Sequence, residues 1–331
     1  MKIGFCIIPK WSARQTAGVF KLANDLGVEY GWLADQTFTT SIYPVLTLAA
    51  YLTKRIKLGT CVTNPYVCHP AFHANAGANI DELSRGRFTL GIGAGDSTTI
   101  RSLGLRYERP VQMVKESVEV IRRLLGGEKV SFKGKALRVS NAQLMFKPRG
   151  VFPIYIGGRG PMMLRLAGEI ADGVLTDTAN PIETRIALTE FRKGLEGANR
   201  ARGEVQVMSA VCFAVDEDSQ VAKDKIKWLA ALVAASVLPE VLERNSIPRR
   251  DVEALRAHLA RKGVEGVASF VTEEMTEAFA IAGSPRECVA KIESMERVGV
   301  SHLAAGILDP RIEDVRRQIR LVARKILPHF Q

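Results

Sequence analysis

The chain has 331 residues, 47% of them hydrophobic and 24% charged, with a formal net charge of +11. This composition excludes a disordered or fibrous chain and leaves ample core for one large barrel or two domains. Lysines and arginines are interspersed with acids and no nucleic-acid motif is present, so the basic balance points to a small anionic ligand rather than to nucleic acid.

Residues 2–8 form an apolar run that predicts a first strand. Val19, Leu22, Ala23 and Leu26 then recur at helical spacing until Gly27 ends the helix. A second strand is predicted over 31–34, ending at Asp35, then a helix over 45–52 and a third strand over 56–61. An alanine-rich helix over 70–83 leads to a fourth strand over 88–92. That strand breaks into the alternating glycines Gly91, Gly93 and Gly95 before Asp96 and Ser97. A strongly amphipathic helix carries Val111, Val114, Val118, Ile121 and Leu125 on one face. Residues 130–146 read as a small hairpin insertion. Strand five over 153–156 runs into Gly157-Gly158-Arg159-Gly160 and a further helix; strand six covers 173–176, and a helix over 182–199 leads to strand seven over 205–215. The helical stretch from 221 to about 280 is too long for a connection and reads as an insertion. Ser284-Pro285-Arg286-Glu287 is a capping box with proline at the first helical position. Strand eight is predicted over 300–306, and Val315, Ile319, Val322 and Ile326 mark a closing helix.

Eight strand–helix units without a linker predict an α/β fold, a (β/α)8 TIM barrel of one domain over 1–331, with insertions after strands four and seven. A doubly wound open sheet is the alternative. In such folds ligands bind at the carboxyl ends of strands, where this chain places Asp35, Cys61 to Asn64, Asp96-Ser97 and Gly157 to Gly160. Glycine at these ends lets a backbone approach a ligand closely, although a glycine-rich turn with Asp96 as a helix cap explains the same residues. The glycines before Pro161 fit a phosphate at a helix N-terminus, or simply a tight turn.

His69 and His73 stand four apart, as metal ligands on a helix would, but no acid follows in the HExxH sense and His69 precedes Pro70; no metal is expected. Cys6, Cys61, Cys68, Cys212 and Cys288 form no CxxC pair and read as small core residues in a reducing compartment. No apolar run approaches the ~20 residues of a membrane span, and no basic-then-apolar leader precedes the first strand. A cytoplasmic protein is expected.

Several motifs resemble the bacterial luciferase-like superfamily, and within it the coenzyme F420-dependent methylenetetrahydromethanopterin reductases. They are Ile56-Lys-Leu-Gly-Thr-Cys-Val-Thr-Asn-Pro-Tyr66, His69-Pro70, Asp81-Glu-Leu-Ser-Arg-Gly-Arg87, Leu90-Gly-Ile-Gly-Ala-Gly-Asp96, Gly160-Pro-Met-Met-Leu164 and Ala167-Gly-Glu-Ile-Ala-Asp-Gly173. The resemblance implies a TIM barrel that holds the deazaflavin over a bulge on strand three, with a non-prolyl cis peptide that would be Cys61–Val62. It also implies that Cys61, Val62, Thr63, Asp96 and Ser97 contact the cofactor, that Gly157 and Gly158 hold its phosphate, and that Asp35 lies beside the reactive face. The reductases it resembles carry a glutamate on strand one where this chain has Cys6. Hydride transfer between reduced F420 and a methylene-tetrahydropterin-type substrate is therefore expected, with Asp35 as the acid. An FMN-dependent luciferase-like monooxygenase and a non-catalytic flavin-binding barrel are the alternatives. The superfamily's habit of pairing implies a homodimer or higher homo-oligomer, for which the helix over 71–80 is a candidate face.

Overall fold

A computed structural model describes residues 1–331. The chain divides into two compact units. The larger comprises Cys6–Thr176 and Ala187–Met208; the smaller comprises Met1–Phe5, Asp177–Ile186 and Ser209–Gln331.

Strand β1 (Lys2–Ile7) begins in the smaller unit and ends in the larger. The larger unit continues with α1 (Ala13–Asp25), β2 (Tyr30–Leu33), α2 (Ile42–Leu52), β3 (Lys57–Thr60), α3 (Pro70–Ser84) and β4 (Phe88–Gly93). Then come α4 (Ser97–Ser102), α5 (Pro110–Leu125), the antiparallel hairpin β5 (Val130–Lys133) and β6 (Arg138–Ala142), β7 (Ile154–Gly157), α6 (Pro161–Ile170) and β8 (Gly173–Thr176). Its strands lie in the order β2-β3-β4-β7-β8, all parallel. They are buried throughout except for Lys57, as parallel strands covered on both faces must be.

Two large rings fill this unit, and each sits where a glycine leaves room. A Cβ on Gly59 would lie 2.2 Å from the Trp32 ring, and one on Gly173 would lie 2.6 Å from Tyr155. The two rings meet at 5.7 Å between centroids. The Asp81–Arg87 motif is a structural latch. The Arg87 guanidinium donates to the carbonyls of Ser84, Ile56, Ala50 and Thr53 and to the Thr53 hydroxyl, which ties the end of α2 to the starts of β3 and β4.

Helix α7 (Pro181–Gly197) runs from the smaller unit into the larger. Strand β9 (Gln206–Val215) begins in the larger unit and continues from Ser209 in the smaller, which holds α8 (Ser219–Ser236), α9 (Pro239–Arg244), α10 (Arg249–Lys262), α11 (Glu273–Phe279), β10 (Ala280–Gly283), α12 (Pro285–Arg297), β11 (His302–Gly306) and α13 (Ile312–Leu321). The predicted helical insertion is present as α8 to α11, with its own core of Ala230, Ala231, Leu242, Leu255, Met275 and Phe279. It ends differently from the expectation. Residues 280–283 form a ninth strand that pairs in parallel with Cys212–Val215, because β9 is ten residues long and offers its last four to a short apolar segment. Eight parallel strands, each followed by a helix, make this an α/β protein of the (β/α)8 barrel class, as expected. No helix is long and apolar enough to cross a membrane.

Candidate functional site

The site is built where β3 leaves its ladder. The Thr60 hydroxyl donates to the Gly91 carbonyl at 2.7 Å and accepts from the Gly91 amide at 2.9 Å. The next peptide, Cys61–Val62, is cis, as the family resemblance implied. Pairing resumes for one residue. The Thr63 amide donates to the Gly91 carbonyl and the Gly93 amide to the Thr63 carbonyl, both at 2.9 Å. The bulge leaves Cys61 and Val62 half-buried and Thr63 fully buried.

The glycines facing this bulge serve the bulge itself. A Cβ on Gly91 would stand 2.0 Å from the Thr60 carbonyl oxygen, one on Gly93 would stand 3.0 Å from Val62, and one on Gly157 would stand 2.8 Å from Val62. At these three positions the missing Cβ is already required by the neighbouring backbone and by Val62.

Asp35 follows β2 and points at the bulge. The Thr63 hydroxyl donates to its Oδ2 at 2.6 Å. The turn that follows is made by Thr39, which donates to the Gln36 carbonyl through both its amide and its hydroxyl. Burial pushes the Asp35 carboxyl above the usual aspartate range, and the Thr63 hydrogen bond pulls it partly back.

Beneath the bulge lie two residues that the sequence did not single out as partners. The His73 ring faces the Asn64 carbonyl through Nε2 at 3.0 Å and the Tyr43 hydroxyl through Nδ1. A carbonyl only accepts, so Nε2 carries the proton and Nδ1 accepts from Tyr43. Burial holds His73 neutral, with a pKa of about 4. The metal-like spacing of His69 and His73 resolves into two separate tasks, since His69 caps α3 by accepting from the Ala71 amide at 3.1 Å. Nothing in the sequence pairs Tyr43 with His73, because each occupies an apolar face of its own helix.

Asp96 is the N-cap of α4. Its Oδ2 accepts from the Thr99 amide at 2.7 Å, and the Thr99 side chain, with the Thr99 and Thr98 amides, holds the exposed carboxyl below its usual range. Ser97, half-buried, is the first residue of that helix. Gly157 lies in the ladder opposite Gly93, and the Gly158 amide donates to the Leu175 carbonyl at 3.2 Å. The helix N-terminus lies two residues further on. Gly160 is the N-cap of α6, no side chain caps that helix, and open space surrounds the position of a Gly160 Cβ. Beside Asp96, the rings of Tyr66 and Tyr107 lie 5.0 Å apart, with the Tyr66 hydroxyl donating to the Glu108 carbonyl at 2.5 Å.

A cavity of about 630 Å³ lies at the opposite ends of the strands, before β7 and β8. Its charges are committed within the chain: Arg122 to Asp172 at 3.0 Å, and Arg200 to the Gly168 and Ala171 carbonyls. It takes no part in the site.

The sequence profile of the luciferase-like monooxygenase family matches residues 1–302. The chain belongs to that family. This luciferase-like chain is 36% identical to a 5,10-methylenetetrahydromethanopterin reductase of Archaeoglobus fulgidus, with the whole of both chains covered. It is 30% identical to an F420-dependent glucose-6-phosphate dehydrogenase of Nakamurella multipartita, over 91% of this chain and 85% of that protein. Its fold matches the structure of the coenzyme F420-dependent tetrahydromethanopterin reductase of Methanopyrus kandleri with a TM-score of 0.92 at 33% identity, covering all of both chains. The luciferase-like TIM barrel is the fold expected from the sequence.

Proposed function

We propose that this luciferase-like protein transfers a hydride between reduced coenzyme F420 and an electrophilic carbon of a methylene-tetrahydropterin-type substrate. The observation that carries this reading is full-length similarity to the methylenetetrahydromethanopterin reductases. The donor set supports it. A half-buried bulge at Cys61 and Val62 suits a flat ring laid over strand ends, and the uncapped N-terminus of α6 at Gly160 suits a phosphate. When bound, the cofactor supplies the hydride.

The chain's own residues do the rest. Cys61 and Val62 orient the ring, Asp96 and Ser97 fix its edge, and the segment from Gly157 to Gly160 anchors the tail. Asp35 delivers the proton needed to open a bridged pterin to its iminium, a role suited to a carboxyl raised toward neutrality. Cys6, buried in β1, stands where the reductases it resembles carry a glutamate.

Titration of the protein with F420 and with FMN, followed by oxidation of reduced F420 by a panel of methylene-tetrahydropterins, tests the reading. Asp35→Asn is expected to lower turnover with F420 affinity nearly intact, and Asp96→Ala to weaken F420 binding first. Tighter binding of FMN, or no turnover across the panel, would overturn it.

A further inference from the structure

We propose that His73, oriented by Tyr43, is a positioning residue for the cofactor seat: it grips the Asn64 carbonyl and so fixes how the bulge from Cys61 to Thr63 runs on from β3. That role rests on the reading of the bulge as the seat of the deazaflavin; the hydrogen bonds do not.

Each stretch of backbone around the bulge has its own holder. Before it, the Thr60 hydroxyl exchanges hydrogen bonds with the Gly91 carbonyl and amide. At Thr63, the amide and carbonyl pair with Gly91 and Gly93 of β4. After it, the Asn64 Oδ1 accepts from the amides of Tyr66 at 3.1 Å and Val67 at 3.0 Å, which shapes the turn that follows. Between these lies the peptide that joins Asn64 to Pro65, both buried. Proline brings no N–H, so the Asn64 carbonyl is the one polar group by which that peptide can be held. His73 holds it, from a helix nine residues further along the chain.

The buried His73 ring suits this task at both ends. Its Nε2 faces the Asn64 carbonyl at 3.0 Å, and an unprotonated nitrogen there would set two lone pairs against each other, so Nε2 carries the proton. Nδ1 is then the acceptor, and the Tyr43 hydroxyl donates to it from α2. The bulge is thereby tied to α2 and α3 as well as to β4. A buried carbonyl deprived of its donor is costly. Turning the Asn64–Pro65 peptide toward another donor displaces Thr63 and, with it, Val62.

The first measurement needs no cofactor. Nitrogen NMR of the full-length protein with isotope-labelled histidine is expected to show His73 at neutral pH with Nε2 protonated and Nδ1 bare; the reverse tautomer overturns the proposal. The second is F420 affinity, read by quenching of deazaflavin fluorescence. His73→Leu removes the donor and is expected to raise the dissociation constant about tenfold. His73→Gln, whose side-chain amide extends to the place of Nε2, is expected to return it to within about twofold of wild type. Tyr43→Phe keeps the ring but not the group that orients it, and should raise the constant about threefold. Arg87→Lys controls for stability alone: it weakens a latch elsewhere in the same unit and should leave the affinity at its wild-type value. Wild-type affinity in His73→Leu overturns the proposal, as does an equal loss in the Leu and Gln variants, which would mark His73 as merely structural. If His73→Leu does not fold, Tyr43→Phe decides, and an unchanged affinity there overturns the proposal. A wild-type protein that takes FMN in place of F420 overturns the cofactor reading alone, and the same variants then read the His73 role with FMN. Binding of neither overturns both.

Discussion

The bulge after β3 depends on the absence of a side chain at residue 91, and Gly91→Ala measures that dependence. The added Cβ would stand 2.0 Å from the Thr60 carbonyl oxygen, about an ångström inside the closest approach that real Cβ atoms make. That neighbour is backbone, so β3 and β4 must separate. Three hydrogen bonds converge on Gly91: two with the Thr60 hydroxyl and one from the Thr63 amide. Overpacking of about 1–3 kcal/mol, with roughly 1 kcal/mol for each of the three weakened bonds, predicts a loss on the order of 4–6 kcal/mol. The same displacement moves Cys61 and Val62, so F420 affinity should fall with stability. Gly160→Ala is the control. Its Cβ meets open space and its backbone, at φ −79°, suits alanine, so it should unfold within about 0.5 kcal/mol of wild type. Urea unfolding gives the first quantity, and quenching of deazaflavin fluorescence gives the second. Wild-type stability together with wild-type affinity in Gly91→Ala would refute the account of the bulge.

Arg87→Lys should cost about 2–4 kcal/mol in urea unfolding, because an ammonium cannot reach the five acceptors that the guanidinium fork now holds. Glu116 should make the β5–β6 hairpin acid-labile. Burial alone would raise its carboxyl, but Gln112 and the amides of Lys135, Ala136 and Leu137 override this and hold it below its usual range. Its folded-state pKa is depressed, so its stabilisation is present above the ordinary glutamate range and is lost as pH falls through the folded value. Hydrogen exchange in residues 130–142 should rise there, and Glu116→Ala should show the same rise at neutral pH. Finally, we propose that the chain self-associates through α2 and the start of α3. Tyr51 is 76% exposed and Phe72 50% exposed, and Leu48 and Leu52 on α2 are exposed as well, while Ala74, Ala78 and Ile80 of α3 are buried. Light scattering should report a dimer that Tyr51→Glu with Phe72→Glu dissociates; a wild-type monomer at micromolar concentration removes the proposal.

The barrel strands were legible because fully buried parallel strands read as short apolar runs between helical periodicities, and no other fold needs eight of them in alternation. The strand at 280–283 was not, since four apolar residues after a helix look like the helix's own end. Function was legible at Cys61–Val62 only through family resemblance; no local feature of Cys-Val announces a cis bond. The glycines mislead for a physical reason. A missing Cβ signals that something approaches closely, and the sequence does not say whether that something is a ligand or a neighbouring strand; at Gly91 it is Thr60. The Asp81–Arg87 motif, part of the family resemblance, ties helix to strand through Arg87. Tyr43 and His73 were hidden because their pairing spans thirty residues and both sit on faces whose pattern spells core.

Two carboxylates stand at the strand ends of the larger unit, and their surroundings push them in opposite directions. Asp96 is exposed and bonded to the Thr99 amide, so it stays ionised and already has one oxygen committed. Asp35 is desolvated, takes its one hydrogen bond from a hydroxyl, and has its carboxyl raised. Titratable groups whose environments separate their protonation states mark a division between binding and proton delivery. On the proposed reaction, proton delivery falls to Asp35 and cofactor binding to Asp96. Asp35 rests on the hydroxyl of the buried Thr63. Asp96 is held at the start of a helix by Thr99. The support each aspartate receives matches the task assigned to it.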